Sequence, residues 1–221
     1  MIDEKMQQQI KMVEVGSEIC FGEYVQSDTL SKSKEPIEWV VLDKKEGKAL
    51  IVTKFAIDCL KYNDEVFSPK AAWKYVVSWE TCTLRKWLNG HFLSEAFSDD
   101  ESGIIQTTNV ISEKNPLYSI DPGVDTQDKI FLLSISEANK YFASDELRKC
   151  VPTEYTKING AATNSSFTKD GKPTCWWWLR TPGDTLYTAV YGDLDGSIQY
   201  RGYFADGTHM AVRPAMWINL D

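Results

Sequence analysis

Three consecutive tryptophans, Trp176-Trp177-Trp178, run straight into Leu179-Arg180-Thr181-Pro182-Gly183. Side chains on a strand alternate between its two faces, so Trp177 must point away from Trp176 and Trp178, and both faces of the strand must meet apolar surface. Each indole buries roughly 150–250 Å², which places the strand in the middle of a fold rather than on its rim. Thr181-Pro182-Gly183 stops it. A second landmark, Val212-Arg213-Pro214-Ala215-Met216-Trp217-Ile218, stands near the end of the chain. Arg180 and Arg213 each sit among apolar residues beside a proline. They are expected to be partly buried and paired, because an unpaired buried guanidinium is costly. Trp176, Trp178, Arg180, Arg213 and Trp217 are therefore read as structural.

Between the two landmarks the composition changes. Asp184–His209 carries Tyr187, Tyr191, Tyr200, Tyr203 and Phe204 interleaved with Asp, Gly, Ser, Thr and Gln, the mixture that binding loops use because tyrosine is rigid and small polar residues adapt. Tyr187, Tyr191, Arg201, Tyr203, Phe204 and His209 are the expected recognition surface. The competing expectation is that these tyrosines only cover a sheet and stack across strands. Asp195-Gly196 suits a two-residue type I′ turn between strands Tyr187–Tyr191 and Ile198–Phe204, which would set Tyr191 opposite Tyr200. Asp206-Gly207 is a further turn before a last strand, Met210–Ile218.

Earlier in the chain, residues 1–14 read as an arm or a short polar helix over Glu4–Val13, and residues 15–221 as a single domain, a size that fills one core. Glu18–Val25 is strand-like, and Gln26–Glu35 a polar loop. Pro36–Asp43 and Ala49–Thr53 flank a charged turn ending in Gly47, a hairpin signature. Leu84, Trp87, Leu88, Phe92, Ala96 and Phe97 keep helical spacing within Ser78–Phe97. Ser98 with Glu101, and Ser134 with Glu137, are capping boxes that open two more helices. Lys129–Leu133 reads as a short buried strand, and Cys150–Thr174 as loop with turn dipeptides at Asn159-Gly160 and Asp170-Gly171.

The net charge of −8 and pI near 4.9 argue against a nucleic-acid partner, which needs a basic patch. No apolar run approaches the ~20 residues of a membrane span. Met1–Lys11 lacks the apolar core of a signal peptide. Five scattered cysteines without a C-x-x-C pair suit reduced thiols in a cytoplasmic protein. Only His91 and His209 could support a metal site or a cysteine nucleophile, and neither has ligand spacing, so no metal, cofactor or catalytic residue is expected. His91 falls on the apolar stripe of its helix, where a packed or partly buried histidine is the usual case. Asp184, Asp193, Asp195 and Asp206 match no compact calcium loop.

At Cys175–Gly183 and Val212–Trp217 the sequence resembles a family of bacterial domains of unassigned function, common in gut Firmicutes, with the motifs W-W-L-R-[ST]-P-G and V-R-P-A-[LM]-W-I. Pro36–Leu42 and Trp79–Asn89 look like two further landmarks of that family. The family is in turn distantly similar to C-type-lectin-like folds of the formylglycine-generating kind and to variable proteins of diversity-generating retroelements. The resemblance implies an α+β, C-type-lectin-like fold: a twisted antiparallel sheet, two main helices, and a ligand face on Asp184–His209, with Arg213 matching a closing arginine motif. It implies a non-catalytic ligand-binding or protein-interaction domain, with a diversified receptor face as a subtype, and an unknown protein or glycan as partner. A degenerate formylglycine-generating-type oxidase is the alternative. That enzyme branch binds copper through a cysteine pair, and here Cys175 has no nearby partner in sequence, Cys150 being the nearest.

Overall fold

The computed structural model describes residues 10–27, 33–64 and 76–220. It is a mixed α+β fold, rich in strands. The strands of its first half are β1 (Glu18–Val25), β2 (Lys34–Lys45), β3 (Lys48–Thr53), β4 (Phe55–Ala56), β5 (Asp58–Cys59), β6 (Thr108–Val110) and β7 (Thr126–Asp128). Those of its second half are β8 (Val151–Pro152), β9 (Thr163–Lys169), β10 (Lys172–Cys175), β11 (Trp177–Pro182), β12 (Thr188–Gly192), β13 (Ile198–Phe204), β14 (Ala211–Val212) and β15 (Ala215–Asn219). Most of the expected helix over Glu4–Val13 lies outside the described residues; of its span, Ile10 and Val13 are buried in the core.

One antiparallel sheet has the order β1-β2-β3-β15. Its hairpin forms where the charged turn predicts it. Lys45 pairs with Lys48, and Glu46 and Gly47 both take positive φ, 51° and 70°, the signature of a type I′ turn whose twist matches the strands. The second sheet has the order β13-β12-β11-β14-β5, with β11 and β14 parallel. The expected single strand Met210–Ile218 is therefore two strands in two sheets. Pro214 cannot donate to a ladder. The chain leaves one sheet as Ile57 N donates to Val212 O at 3.0 Å, and enters the other as Thr53 N donates to Pro214 O at 3.0 Å.

Arg213 sits at that crossing. Its guanidinium is buried between the rings of Phe142 and Trp177, 4.9 and 5.0 Å away, and donates to Thr53 O at 3.0 Å and Arg148 O at 3.2 Å. The expected pairing is thus with carbonyls and ring faces, and no carboxylate bonds to it among the described residues. Arg180 is paired more conventionally, with Glu137 and with Leu132 O at 2.8 Å. Trp217 is buried on β15, with Lys45 Nζ 4.9 Å from its ring centroid.

The helix expected across Ser78–Phe97 begins five residues late, at Thr83, where Cys82 Sγ caps Arg85 N at 3.4 Å. It runs as Thr83–Trp87, a π-helical turn Leu88–Phe92, and Leu93–Ala96. Leu84, Leu88, Phe92 and Ala96 form its buried stripe. His91 is not packed: it lies in the π turn, 64% exposed, and pairs with Glu95 at 2.8 Å. Within the same turn Asn89 donates to Ile130 O at 2.8 Å and accepts from Lys129 N at 2.9 Å and Ile130 N at 3.1 Å. This explains why Lys129–Leu133 is buried without being a strand. Its backbone is satisfied by Asn89, by Arg180 and by one isolated bridge from Phe131 to Ala215. Both capping boxes form as expected, opening Asp99–Ile104 and Ile135–Tyr141.

The stretch expected to be loop, Cys150–Thr174, holds β8, the helix Glu154–Ile158, β9 and most of β10. Asp170 and Gly171 do turn the chain, again with both φ positive, 51° and 74°, within a few degrees of the β2–β3 turn. The strands on either side went unrecognised because β9, Thr-Asn-Ser-Ser-Phe-Thr-Lys, has six of its seven residues exposed and so carries no alternating apolar face. Among the described residues no helix is long and apolar enough to cross a membrane.

Candidate functional site

The three tryptophans meet three different surroundings. Trp178 is wholly buried, 5.5 Å from the ring of Tyr62, and its Nε1 donates to Leu60 O at 2.9 Å. Trp177, which faces Phe142 and Arg213, is equally buried. Trp176 lies just before β11 and is only half-buried; its ring stands 5.9 Å from Tyr191 and 6.2 Å from Tyr203. The residue expected to be as buried as Trp178 instead supports the tyrosine face.

That face depends on the β12–β13 hairpin, whose turn differs from the expected one. Asp193 N donates to Ser197 O at 2.8 Å and Gly196 N to Asp193 O at 2.9 Å, while Gly196 alone takes positive φ, 88°. This is a three-residue loop rather than a two-residue type I′ turn. A Cβ on Gly196 would lie 1.8 Å from Asp145 O. The register shifts by one residue, so Tyr191 pairs with Gln199, not Tyr200. A one-residue slip exchanges faces: Tyr200 Oη reaches Asn139 Nδ2 on the helix Ile135–Tyr141 at 3.5 Å. Tyr191 stays with Trp176 and Tyr203. A second irregularity, between Ala189 and Tyr191 in register, includes Gly202 at φ 75°.

Asp193 fixes the inner end of this arrangement. It accepts from Trp176 Nε1 at 2.6 Å, Leu194 N at 2.7 Å and Gln199 Nε2 at 2.9 Å. At the outer end, Asp184 N donates to Arg201 O at 2.8 Å, and Arg201 Nε returns to Asp184 Oδ2 at 3.1 Å. Gly183 allows this close approach, since a Cβ there would lie 2.3 Å from Arg201 O. Between the two ends is an open pocket of about 420 Å³. Tyr187, Tyr191, Arg201, Tyr203 and Phe204 all line it. Tyr187 and Phe204 stack in parallel, 5.9 Å apart with an interplanar angle of 4°.

His209 does not belong to this pocket. It is exposed on the far side of the Asp206-Gly207 turn, with Nδ1 3.2 Å from Gly160 O. The remaining polar lining, Asp184, Thr185, Thr188 and Gln199, was not singled out from sequence for recognition, although all four fall within the tyrosine-rich segment. Asp184, Asp193 and Asp195 serve Arg201, Trp176 and Ser197 respectively. Among the described residues, no group of three or more His, Cys, Asp or Glu is placed to hold a metal ion.

Two other clusters of reactive side chains are buried. Cys175 N donates to Cys150 O at 2.9 Å, so the two cysteines separated in sequence lie side by side, both wholly buried and unbridged. Burial alone would raise the Cys150 thiol, but a hydrogen bond from Cys175 and the charge of Arg213 pull it below the ordinary range. Asp58 is the second case. It accepts from Tyr24 Oη at 3.0 Å, Asn159 Nδ2 at 2.8 Å and Cys59 N at 2.7 Å. Burial outweighs these bonds and raises its pKa. A raised carboxyl takes up a proton on folding, so its contribution to stability is complete below the ordinary carboxylate pKa and is lost as pH rises through the raised value. As pH rises from about 4, the ordinary carboxylate value, denaturant midpoints should therefore fall less steeply for Asp58→Asn than for the wild type. Parallel curves would contradict this.

No curated protein and no solved structure matches the chain. Residues 46–220 match a family described as a domain of unknown function (DUF6273), and the chain belongs to that family.

Proposed function

We propose that the chain is a non-catalytic ligand-binding or protein-interaction domain of C-type-lectin-like type whose contact surface is the pocket between β12 and β13. The observation that carries this reading is convergence. Five residues chosen for their chemistry, Tyr187, Tyr191, Arg201, Tyr203 and Phe204, line one open pocket. Pockets that combine aromatic walls with a few placed polar groups are the usual form of a ligand site. Free cysteines in the core support a reducing compartment. The oxidase alternative draws support from the contact between Cys150 and Cys175, but both thiols lie at 0% exposure, out of reach of a substrate while the fold is closed.

The test is a glycan and protein array probed with the wild type and with a Tyr187→Ser/Phe204→Ser double variant. Phe204 is 49% exposed, and its ring partner Tyr187 is half-buried. The pair should cost no more than about 1 kcal/mol of stability, as surface changes do, while the array signal disappears. A folded variant that binds like the wild type would overturn the assignment of this pocket.

A further inference from the structure

Resting on the recognition reading of the β12–β13 pocket, we infer that its ligand is an acidic sugar, a hydroxyl-bearing ring with a carboxylate, and that Arg201 takes the carboxylate. Among the described residues, Arg201 is the only Lys or Arg that lines the pocket. Its side chain is 80% exposed and commits only Nε, to Asp184 Oδ2 at 3.1 Å. Neither terminal nitrogen has a partner among the described residues. Asp184 is itself held by main chain, and its other oxygen is 3.4 Å from the Thr188 hydroxyl. The Nε contact tethers the guanidinium beside the pocket and leaves both terminal nitrogens as donors, and such a pair can receive a carboxylate in bidentate fashion.

The rest of the lining selects the body of the ligand. The Tyr191 and Tyr203 hydroxyls make no hydrogen bond among the described residues, and Gln199 uses its amide nitrogen on Asp193 at 2.9 Å, which leaves its carbonyl oxygen for a donor. These are partners for hydroxyl groups, which both donate and accept. The stacked pair Tyr187 and Phe204 offers a flat apolar surface of the kind that covers the C–H face of a pyranose ring. A purely apolar ligand would leave the phenols unanswered, and a neutral sugar would leave the guanidinium fork unused.

Saturation-transfer NMR on the full chain provides the test, with D-glucuronate and N-acetylneuraminate as acidic probes, and D-glucose and D-glucuronamide as neutral ones. At least one acidic probe is expected to bind. The neutral probes should bind it about tenfold to a hundredfold more weakly, the range for losing a hydrogen-bonded charge. Arg201→Gln should bring the acidic probe down to the neutral level, and higher salt should weaken only the acidic probe. Equal binding of acidic and neutral sugars, lost in Tyr203→Ser, would overturn the role of Arg201 yet leave the recognition reading standing. Binding of a short peptide ending in tyrosine, with no sugar bound, would overturn the sugar and keep the pocket. Failure of every probe overturns this inference, and a blank array alongside it removes the recognition reading as well.

Discussion

Replacing Trp178 with alanine is expected to destabilise the protein by about 3–5 kcal/mol, read as a lower denaturant midpoint with an unchanged slope. The ring is wholly buried on β11, and three losses coincide when it goes. A cavity of indole size opens beside Tyr62, whose ring is 5.5 Å away. Leu60 O loses the donor that Nε1 supplied at 2.9 Å. Tyr62, whose hydroxyl donates to Arg180 O at 2.9 Å, loses the packing that orients it. Typical domains are stable by about 5–15 kcal/mol, so this one change removes a large part of the whole. Trp176→Ala is the internal control. That ring is half-buried at the edge of the core, beside Tyr191 and Tyr203, so its removal should cost clearly less. Equal losses at the two positions would mean that the distinction between core and pocket wall is wrong.

The difference between these two tryptophans shows where sequence reasoning reached its limit. Alternation sets Trp177 against Trp176 and Trp178, and so by itself ranks Trp176 with Trp178. What demotes Trp176 is its place before β11 begins, at Trp177, a boundary that apolar composition does not mark. Local signals were otherwise dependable. Capping boxes at Ser98 and Ser134 appear where their residues put them, because each rests on bonds within three residues, and the strand Glu18–Val25 appears with the bounds its composition sets. The errors share a different cause. The β12–β13 register depends on whether Asp193 closes a three-residue loop, which Trp176 and Gln199 help decide from outside the turn. The split of the last strand depends on two sheets competing for one segment on either side of Pro214. β9 has no apolar face to announce it. Of the site, the aromatic members and Arg201 were legible from composition. The polar lining and the exclusion of His209 follow from tertiary geometry.

Arg180 carries the second large expectation, and its sign comes from an asymmetry in burial. Its side chain is 3% exposed, whereas that of its partner Glu137 is 27% exposed. Glu137 also accepts from Ser134 N at 2.9 Å, the reciprocal half of the capping box on Ile135–Tyr141. Removing the carboxylate strands a guanidinium that water cannot reach and breaks the cap, so Glu137→Ala should cost about 3–5 kcal/mol, as broken buried pairs do. Removing the guanidinium is less severe. Arg180→Met keeps apolar volume in the core, leaves Glu137 able to reach water, and abandons Leu132 O, now 2.8 Å from Arg180 Nη1, and Ile111 O, which Nε and Nη2 reach at 3.3 and 3.2 Å; Leu132 is fully buried while Ile111 is 49% exposed, so one stranded carbonyl dominates, at about 1–3 kcal/mol. Glu137→Gln should fall between the two, since the amide oxygen still receives Ser134 N but no longer balances the charge. The double variant Glu137→Gln/Arg180→Met should then be more stable than the sum of its single changes predicts, because the stranded charge exists in only one of them. Chemical denaturation of the four proteins measures this coupling directly. A cost for Arg180→Met that exceeds the cost for Glu137→Ala would show that the bonds of Arg180 to the carbonyls of Leu132 and Ile111, rather than its ion pair with the helix, are what anchor β11.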